Sequence, residues 1–429
     1  MKITIHRGIN QIGGCITEIS SEAGTRIVID FGHNLPDGDK PSEDKYANEN
    51  AAAKLLDGVS AVFYTHNHGD HVELFKYVPE GIKQYIGPLA REVMEVKLRH
   101  MAYLEEQKEE CRRQIEKLDH FDTYTAGKPI PVGDITVTPY SVSHSATDSY
   151  MLVISADEKT ILHTGDYREH GYHGSIIFDS IEENGLAGNV DVLVTEGTNI
   201  GQADKKVTPE ETLKAEFDRL MDKYDNVFIL SSSADADRLE SIYSAHENHP
   251  NKPFVTDIYQ KKVMLTIANH WKGKDDYYRF DEKKIIDYKD YNWKLKYWMK
   301  KKGFVMMIRR SDKFQGIINK TLPFCKPDRT CIIYSQYRGY IIPGKGGFCQ
   351  AAKDFVDQFP NYEYIHTSGH ASKETLIKLC DTLQPKSAII PIHKDAGTDI
   401  RSILEDSAMK RKVLDTSGEI DGIEVVVNN

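Results

Sequence analysis

The alternation of apolar and polar positions divides the chain into stretches of different rhythm. Short runs rich in Ile, Val and Thr, separated by glycine-containing turns, predict strands at residues 2–6, 15–20 and 26–30. The run VSAVFYT (59–65) is continuously apolar, as a strand buried on both faces requires. Residues 88–121 carry no Pro or Gly after Pro88, and Leu89, Val93 and Val96 recur at helical spacing, which predicts one long helix. Strands return at 135–142, 151–155, 160–164 and 190–196. Beyond Thr198 helix and strand patterns alternate. A helix over 208–224 is announced by Thr208 before Pro209, Glu210 and Glu211. A strand (227–231), a helix (239–249) and a strand (253–256) follow, then strands at 330–335, 362–366 and 388–392 and a strand-like end at 422–427. This alternation predicts parallel βα units in a second α/β domain. The 429 residues correspond to two or three domains, or to one domain with a large insertion.

Composition narrows the classes. Hydrophobic residues make up 40% and charged residues 28%, as in ordinary globular proteins. The net charge of −10 argues against a uniformly basic nucleic-acid coat. It is unevenly spread: residues 283–313 hold 11 Lys or Arg against Asp287, Asp290 and Asp312, a net of +8 that leaves −18 elsewhere. No run of 18 apolar residues exists, so no transmembrane helix is expected. The first ten residues lack an apolar signal core, and a cytoplasmic protein without a membrane partner is expected. Six cysteines are too sparse for a disulfide scaffold and read as reduced core thiols. GINQIGG (8–14) and PGKGGF (343–348) lack the ending of a P-loop. The 17 histidines are a mild excess that asks for an explanation.

That explanation begins at THNHGDH, where His66, His68, Asp70 and His71 fall within six residues directly after an apolar strand. Imidazole and carboxylate are the donors that suit Zn²⁺ and its neighbours. A tight loop at a strand end can point alternate side chains into one pocket, with His66 and His68 on one ion and Asp70 and His71 turned toward a second. Chance would supply roughly 0.002 such matches in a chain of this composition.

The motif resembles that of the metallo-β-lactamase superfamily, whose ligands continue with a His, an Asp and a final His at later strand ends. The chain offers His144 in SVSHSATDS, Asp166 in LHTGDYR and His393 in IIPIHKD, each after a predicted strand. The resemblance implies that His66, His68 and His144 hold one metal, that Asp70, His71 and His393 hold the other, and that Asp166 bridges. Within the superfamily the chain resembles the β-CASP branch, the nucleases similar to ribonuclease J. More than 220 residues separate Asp166 from His393, VLVTEGTN ends its strand at Glu196, and HTSGHAS (366–372) precedes the PIH motif. SSSADADRL (231–239) stands where the branch carries a Ser-rich, Arg-containing turn. YSQYRGYIIPGKGG (334–347) departs from the Ser/Pro-Gly turn usual there, and a short form without the C-terminal domain that ribonuclease J proteins usually carry is expected.

The implied fold is α/β: a metallo-β-lactamase αββα sandwich (1–202 and 351–429) with an inserted β-CASP α/β domain (203–350). The implied activity is hydrolysis of RNA phosphodiester bonds with two Zn²⁺, or Mn²⁺, as cofactors. Asp70, His370 and Glu196 are the expected catalytic groups. Glu196 would hold His370 protonated, so that His370 can donate to a leaving oxygen. Ser233, Ser368, Gly369 and His370 are expected phosphate contacts. Lysines of 283–313 interleaved with Tyr288, Tyr291, Trp293, Tyr297 and Trp298 fit single-stranded RNA, cations neutralising phosphate and rings stacking on bases. A homodimer remains an open option. Two other readings compete: a two-metal hydrolase of a small ester, lactone or phosphodiester, against which the large insertion speaks, and a non-catalytic RNA-binding scaffold, which has no physical need for seven ligands.

Overall fold

A computed structural model describes residues 1–40, 42–201, 207–290, 292–414 and 423–427. Two sheets face each other across one apolar core. The first runs Ile423–Val426, Lys2–Arg7, Ile16–Ser20, Arg26–Ile29, Ala61–Phe63, Lys83–Ile86, Asp122–Thr123 in spatial order. The second runs Ala388–Ile392, Val192–Glu196, Lys159–His163, Ser149–Ala156, Ile135–Val142, Ile130–Val132. Because side chains alternate along a strand, Ile3, Ile5, Ile27 and Ile29 of the first sheet meet Val137, Ile154, Val192 and Ile390 of the second. The opposite faces are covered by helices. Val28, Val62 and Ile86 pack with Ala52 and Leu56 of one helical segment and with Ala90 and Met94 of another. Leu162, Leu193 and Ile389 pack with Ile177 and Ile181 and with Leu376, Leu379 and Leu383. The layers are therefore αββα, as the motif resemblance implied.

Two compact units divide the chain. One comprises Met1–Leu35, Ser42–Val207 and Gly369–Asn429 and contains both of these sheets; the other comprises Pro36–Pro41 and Thr208–Ser368. The second unit is built on a six-stranded sheet in the order Ile285–Asp287, Phe254–Thr256, Phe304–Ile308, Asn226–Ser231, Thr330–Ser335, Tyr362–Tyr364. Every pairing in it is parallel. Its inner strands Phe304–Ile308, Asn226–Ser231 and Thr330–Ser335 are buried at every position, while the edge strand Tyr362–Tyr364 is not.

Three differences from the sequence expectations have physical causes. The helix expected over 88–121 is two, Pro88–Met101 and Lys108–Leu118. A single rod of that length would extend about 50 Å, whereas the folded-back pair sets Met94, Leu98, Cys111 and Leu118 into one cluster. Arg91 ties the far ends together, its Nε donating to the Leu118 carbonyl at 3.0 Å. The strand Lys83–Ile86 carries no alternation that marks it, yet pairs in parallel beside Ala61–Phe63. The basic stretch 283–313 is not one surface. It contains the fully buried strand Phe304–Ile308, and Arg309 is committed to the buried carboxylate of Asp257 at 3.0 Å. Tyr291, Gly422 and the expected boundary at 202 and 203 lie outside the described residues.

The Arg-containing turn of the second unit is internal. Arg238 is 1% exposed and pairs with Glu210, 0% exposed, at 2.9 Å. Its Nη1 also donates to the Ser335 carbonyl at 3.3 Å, tying two helices to the end of a central strand. Removing one partner of a buried pair leaves an uncompensated charge, so Arg238→Ala is expected to destabilise this unit by about 3–5 kcal/mol in urea unfolding. A loss under about 1 kcal/mol would show that Glu210 is not held by this pair.

Candidate metal centre

The strands of the first unit end in the loops that carry the candidate donors. Ala61–Phe63 leads into His66, His68, Asp70 and His71; Ile135–Val142 into His144; Lys159–His163 into Asp166; Ala388–Ile392 into His393; and Glu196 closes Val192–Glu196. The THNHGDH loop is stitched down by its backbone. The Cys15 and Phe31 amides donate to the Asp70 and His71 carbonyls at 3.0 and 2.8 Å. A Cβ on Gly32 would lie 1.7 Å from the Asp70 carbonyl oxygen, so only glycine permits this approach. His393 sits in the left-handed region, φ 50°, with its amide on the Gly8 carbonyl at 2.6 Å. For a residue with a Cβ that conformation costs about 1–2 kcal/mol and persists because the surroundings impose it.

All seven donors converge. His144 Nε2 lies 3.2 Å from His68 Nδ1, and ligand atoms of His66, His68 and His144 lie within 4.8 Å of one another. Asp166 Oδ2 lies 3.2 Å from His71 Nε2, 3.6 Å from His393 Nε2, 3.8 Å from His144 Nε2 and 4.0 Å from His66 Nε2. Asp70 Oδ2 is 3.2 Å from His393 Nε2 and 3.9 Å from His71 Nε2. Asp166 is thus the shared carboxylate between a three-histidine group and an Asp70–His71–His393 group.

The donor chemistry fits divalent metal. The Nε2 atom of His66 is buried with no hydrogen-bond partner, and that of His71 faces only the Asp166 and Asp70 carboxylates. Such orphans are costly in a protein interior unless an ion meets them. Their outer nitrogens are engaged instead. His71 Nδ1 donates to Asp30 Oδ2 at 2.7 Å, His144 Nδ1 to the Gly369 carbonyl at 2.6 Å and His393 Nδ1 to Thr198 Oγ1 at 2.7 Å. His66 Nδ1 meets Thr65 Oγ1 at 3.0 Å, and that hydroxyl donates to Asp30 at 2.9 Å. Each bond fixes the tautomer that turns a lone pair inward. Burial, reinforced by neighbouring imidazoles, lowers the pKa of His66 and His144, keeping them neutral as ligands must be. Burial likewise drops His68 to about 4. Burial works against ionisation of Asp166, but His393 and His71 override it and hold the carboxylate well below its usual range.

His370 stands apart from these ligands in its electrostatics. Its Nδ1 lies 3.2 Å from Glu196 Oε2 and 3.5 Å from Asp166 Oδ2. Burial alone would depress it; Glu196, then Asp166, outweigh that and raise its pKa to about 9. Glu196 is itself placed by amides, Ala371 N at 3.0 Å and Tyr167 N and Thr198 N at 3.3 Å. Gly369 must be glycine, since a Cβ there would come 2.1 Å from Ser145 Oγ. Ser368 ends the second unit, to which Ser233 also belongs. Ser233 follows the strand Asn226–Ser231, and its carbonyl accepts from Gln260 at 3.1 Å.

Sequence reasoning missed Asp30 and Thr198. Both hold the outer nitrogen of a candidate ligand, Asp30 that of His71 and Thr198 that of His393. Asp30 ends the IVID run and carries φ 59°, and a lone acid at a strand end is a weak signal unless a ligating histidine is already suspected of needing a carboxylate behind it. Thr198 follows Glu196 by two residues and serves His393 and, at 3.2 Å, His370. The cysteines are free, as expected; Cys15 is buried among His71, Asp166, Asp30 and Asp70, which with burial raise and partly counter its thiol pKa.

Residues 25–220 match the family described as Beta-lactamase superfamily domain, and residues 361–395 that described as Zn-dependent metallo-hydrolase RNA specificity domain. These two segments are similar to a metallo-β-lactamase domain and to the β-CASP-type segment that the motifs resemble. It is 24% identical over 418 residues to Ribonuclease J of Helicobacter pylori (strain B128), covering 92% of this chain and 56% of that protein. It is 26% identical over 263 residues to Ribonuclease J of Mycobacterium tuberculosis (strain ATCC 25618 / H37Rv), covering 57% and 42% respectively. The chain therefore spans about half the length of the curated relatives it matches. A crystal structure of a protein of unknown function from Enterococcus faecalis V583 shares the fold, with TM-score 0.70, 19% identity and 99% coverage of both chains.

The carboxylate behind His71 offers a direct check. Asp30→Asn keeps the shape and tolerates the positive φ but removes the charge, and it is expected to weaken metal affinity by roughly 10–100-fold in a chelator competition. Unchanged affinity would mean that Asp30 does not act through His71.

Proposed function

We propose that the chain is a metal-dependent ribonuclease that hydrolyses RNA phosphodiester bonds at this centre. The observation that supports this most is the convergence of seven donors, Asp166 among them, with His370 beside that carboxylate. Two Zn²⁺ ions, or Mn²⁺, suit the donors: His66, His68 and His144 for one, Asp70, His71 and His393 for the other, Asp166 for both. Such a pair, when bound, lowers the pKa of a water and neutralises charge on the attacking and leaving oxygens. The chain's own groups do the rest. Burial opposes ionisation of Asp70, but His71 and His393 outweigh it and hold the carboxylate well below its usual range, so it is available as a ligand. His370, kept protonated by Glu196, gives its proton to the leaving oxygen. The Ser368–Gly369 backbone, and Ser233 by its place after a strand end, are the phosphate contacts in this reading. Free cysteines favour a reducing compartment, and we place the protein in the cytoplasm. Among the described residues no helix is long and apolar enough to cross a membrane.

Incubation with single-stranded RNA oligomers bearing 5′-monophosphate, 5′-triphosphate or 5′-hydroxyl ends, in Mn²⁺, tests this reading. Wild-type protein should produce shortened RNA, and His68→Ala should abolish cleavage while leaving the circular dichroism spectrum unchanged. Cleavage at the wild-type rate by that variant would place the nuclease elsewhere, and no cleavage of any oligomer would favour a small-ester hydrolase.

The acid role has its own signature. A proton held with a pKa near 9 is present below that pH and lost above it, so kcat should fall as pH rises past about 9. Glu196→Gln removes the main raising charge and should move that fall to lower pH, whereas His370→Ala should cost roughly 10²–10⁴ in kcat. An alkaline limb that does not respond to Glu196→Gln would assign the titration to another group.

A further inference from the structure

The helix Trp293–Lys302 of the second unit presents a surface that the metal centre does not use. Only Leu295 and Met299 of this helix are buried, a narrow i, i+4 stripe set into the core of the unit beside Phe304 and Ile318. On a helical wheel the pole opposite that stripe is occupied by Trp293 and Tyr297, themselves four residues apart. Trp293 is 74% exposed and Tyr297 60%. Lys294, Lys296, Lys300 and Lys301 flank them, with Lys294 5.8 Å from the Trp293 ring centre and Lys301 5.9 Å from that of Tyr297. Trp298 is anchored differently, its indole donating to the Asn251 carbonyl at 2.9 Å.

An ordinary surface helix accounts for part of this. The aliphatic stripe docks it, and lysines in the last turn complement the negative end of its dipole. Neither reason calls for two large rings at the pole farthest from the core, where they lose most to water. The ring–lysine pattern instead matches a single-stranded polyanion with flat bases: each ring offers a face for a base, and the lysines beside it meet the intervening phosphates. An anionic lipid surface fits less well, because the aliphatic residues are turned inward and insertion of the rings would bury the lysines between them. A second copy of the same face would bring like charges together.

We infer that the Trp293–Tyr297 face of this helix is a binding site for single-stranded RNA, separate in its residues from the metal centre. It extends the ribonuclease reading by naming where substrate is held apart from the bond that is cut.

The test measures fluorescence anisotropy of a labelled unstructured RNA oligomer with His68→Ala protein, so that cleavage does not intrude. Trp293→Ala combined with Tyr297→Ala should weaken binding at least roughly tenfold, since each stacked ring contributes measurably. Both rings are exposed, and an unchanged melting curve will show that the fold is intact. Lys300→Gln with Lys301→Gln should weaken binding and reduce the salt dependence of the logarithm of affinity by roughly 0.7 per lost contact. Equal affinity in all three proteins overturns the inference. So does loss of binding to phosphatidylglycerol vesicles with RNA affinity unchanged, or a concentration-dependent mass increase that the ring variants abolish. If wild-type protein cuts no RNA while the ring variants lose affinity, the catalytic reading fails and this site stands; if RNA is cut and the variants bind normally, only this site fails.

Discussion

The imidazoles of His66, His71, His144 and His393 are each held at Nδ1 by an oxygen of the chain, and everything the centre can do follows from that outer ring of hydrogen bonds. Without it each histidine could rotate or change tautomer, and no lone pair would reliably face inward. Asp30 is the most economical member. Its one carboxylate takes the His71 proton directly and reaches His66 through Thr65. Thr198 does the same for His393, and the Gly369 carbonyl for His144. Oxygens of Asp30, Thr65, Thr198 and Gly369 thus fix the geometry of donors that run from His66 to His393 in the sequence.

The sandwich makes that convergence affordable. Two sheets share one core, and the strands of both that lead to the site end in its loops. The left-handed His393 and the close approach at Gly32 are local strains that a floppy scaffold would relax. The negative field of Asp70 and Asp166 then does two things at once. It would draw a divalent cation into a buried site, and with Glu196 it raises the pKa of His370.

How much could be read beforehand depended on whether a residue stood in a pattern. THNHGDH packs four donors into six residues, and the apolar strands before His144, Asp166 and His393 repeat one arrangement, so the layers and the candidate donors were legible together. Asp30 and Thr198 were not, because a single acid or hydroxyl at a strand end looks like any capping residue until its partner is located. The 88–121 stretch misled because helix propensity is local, whereas the need to fold back over one sheet is a tertiary constraint. The 283–313 stretch misled in another way. Counting its charges ignored the buried strand Phe304–Ile308 within it, whereas the helix Trp293–Lys302 carries the exposed rings Trp293 and Tyr297 beside exposed lysines.

Seven inward-facing donors with Asp166 between two groups imply a paired metal site. Anomalous diffraction from crystals of Zn²⁺-loaded protein, recorded at the zinc absorption edge, tests it most directly. Two peaks are expected about 3.5–4 Å apart, one against His66, His68 and His144, the other against Asp70, His71 and His393, both touching Asp166. A single peak away from Asp166, or none at these residues, would contradict it.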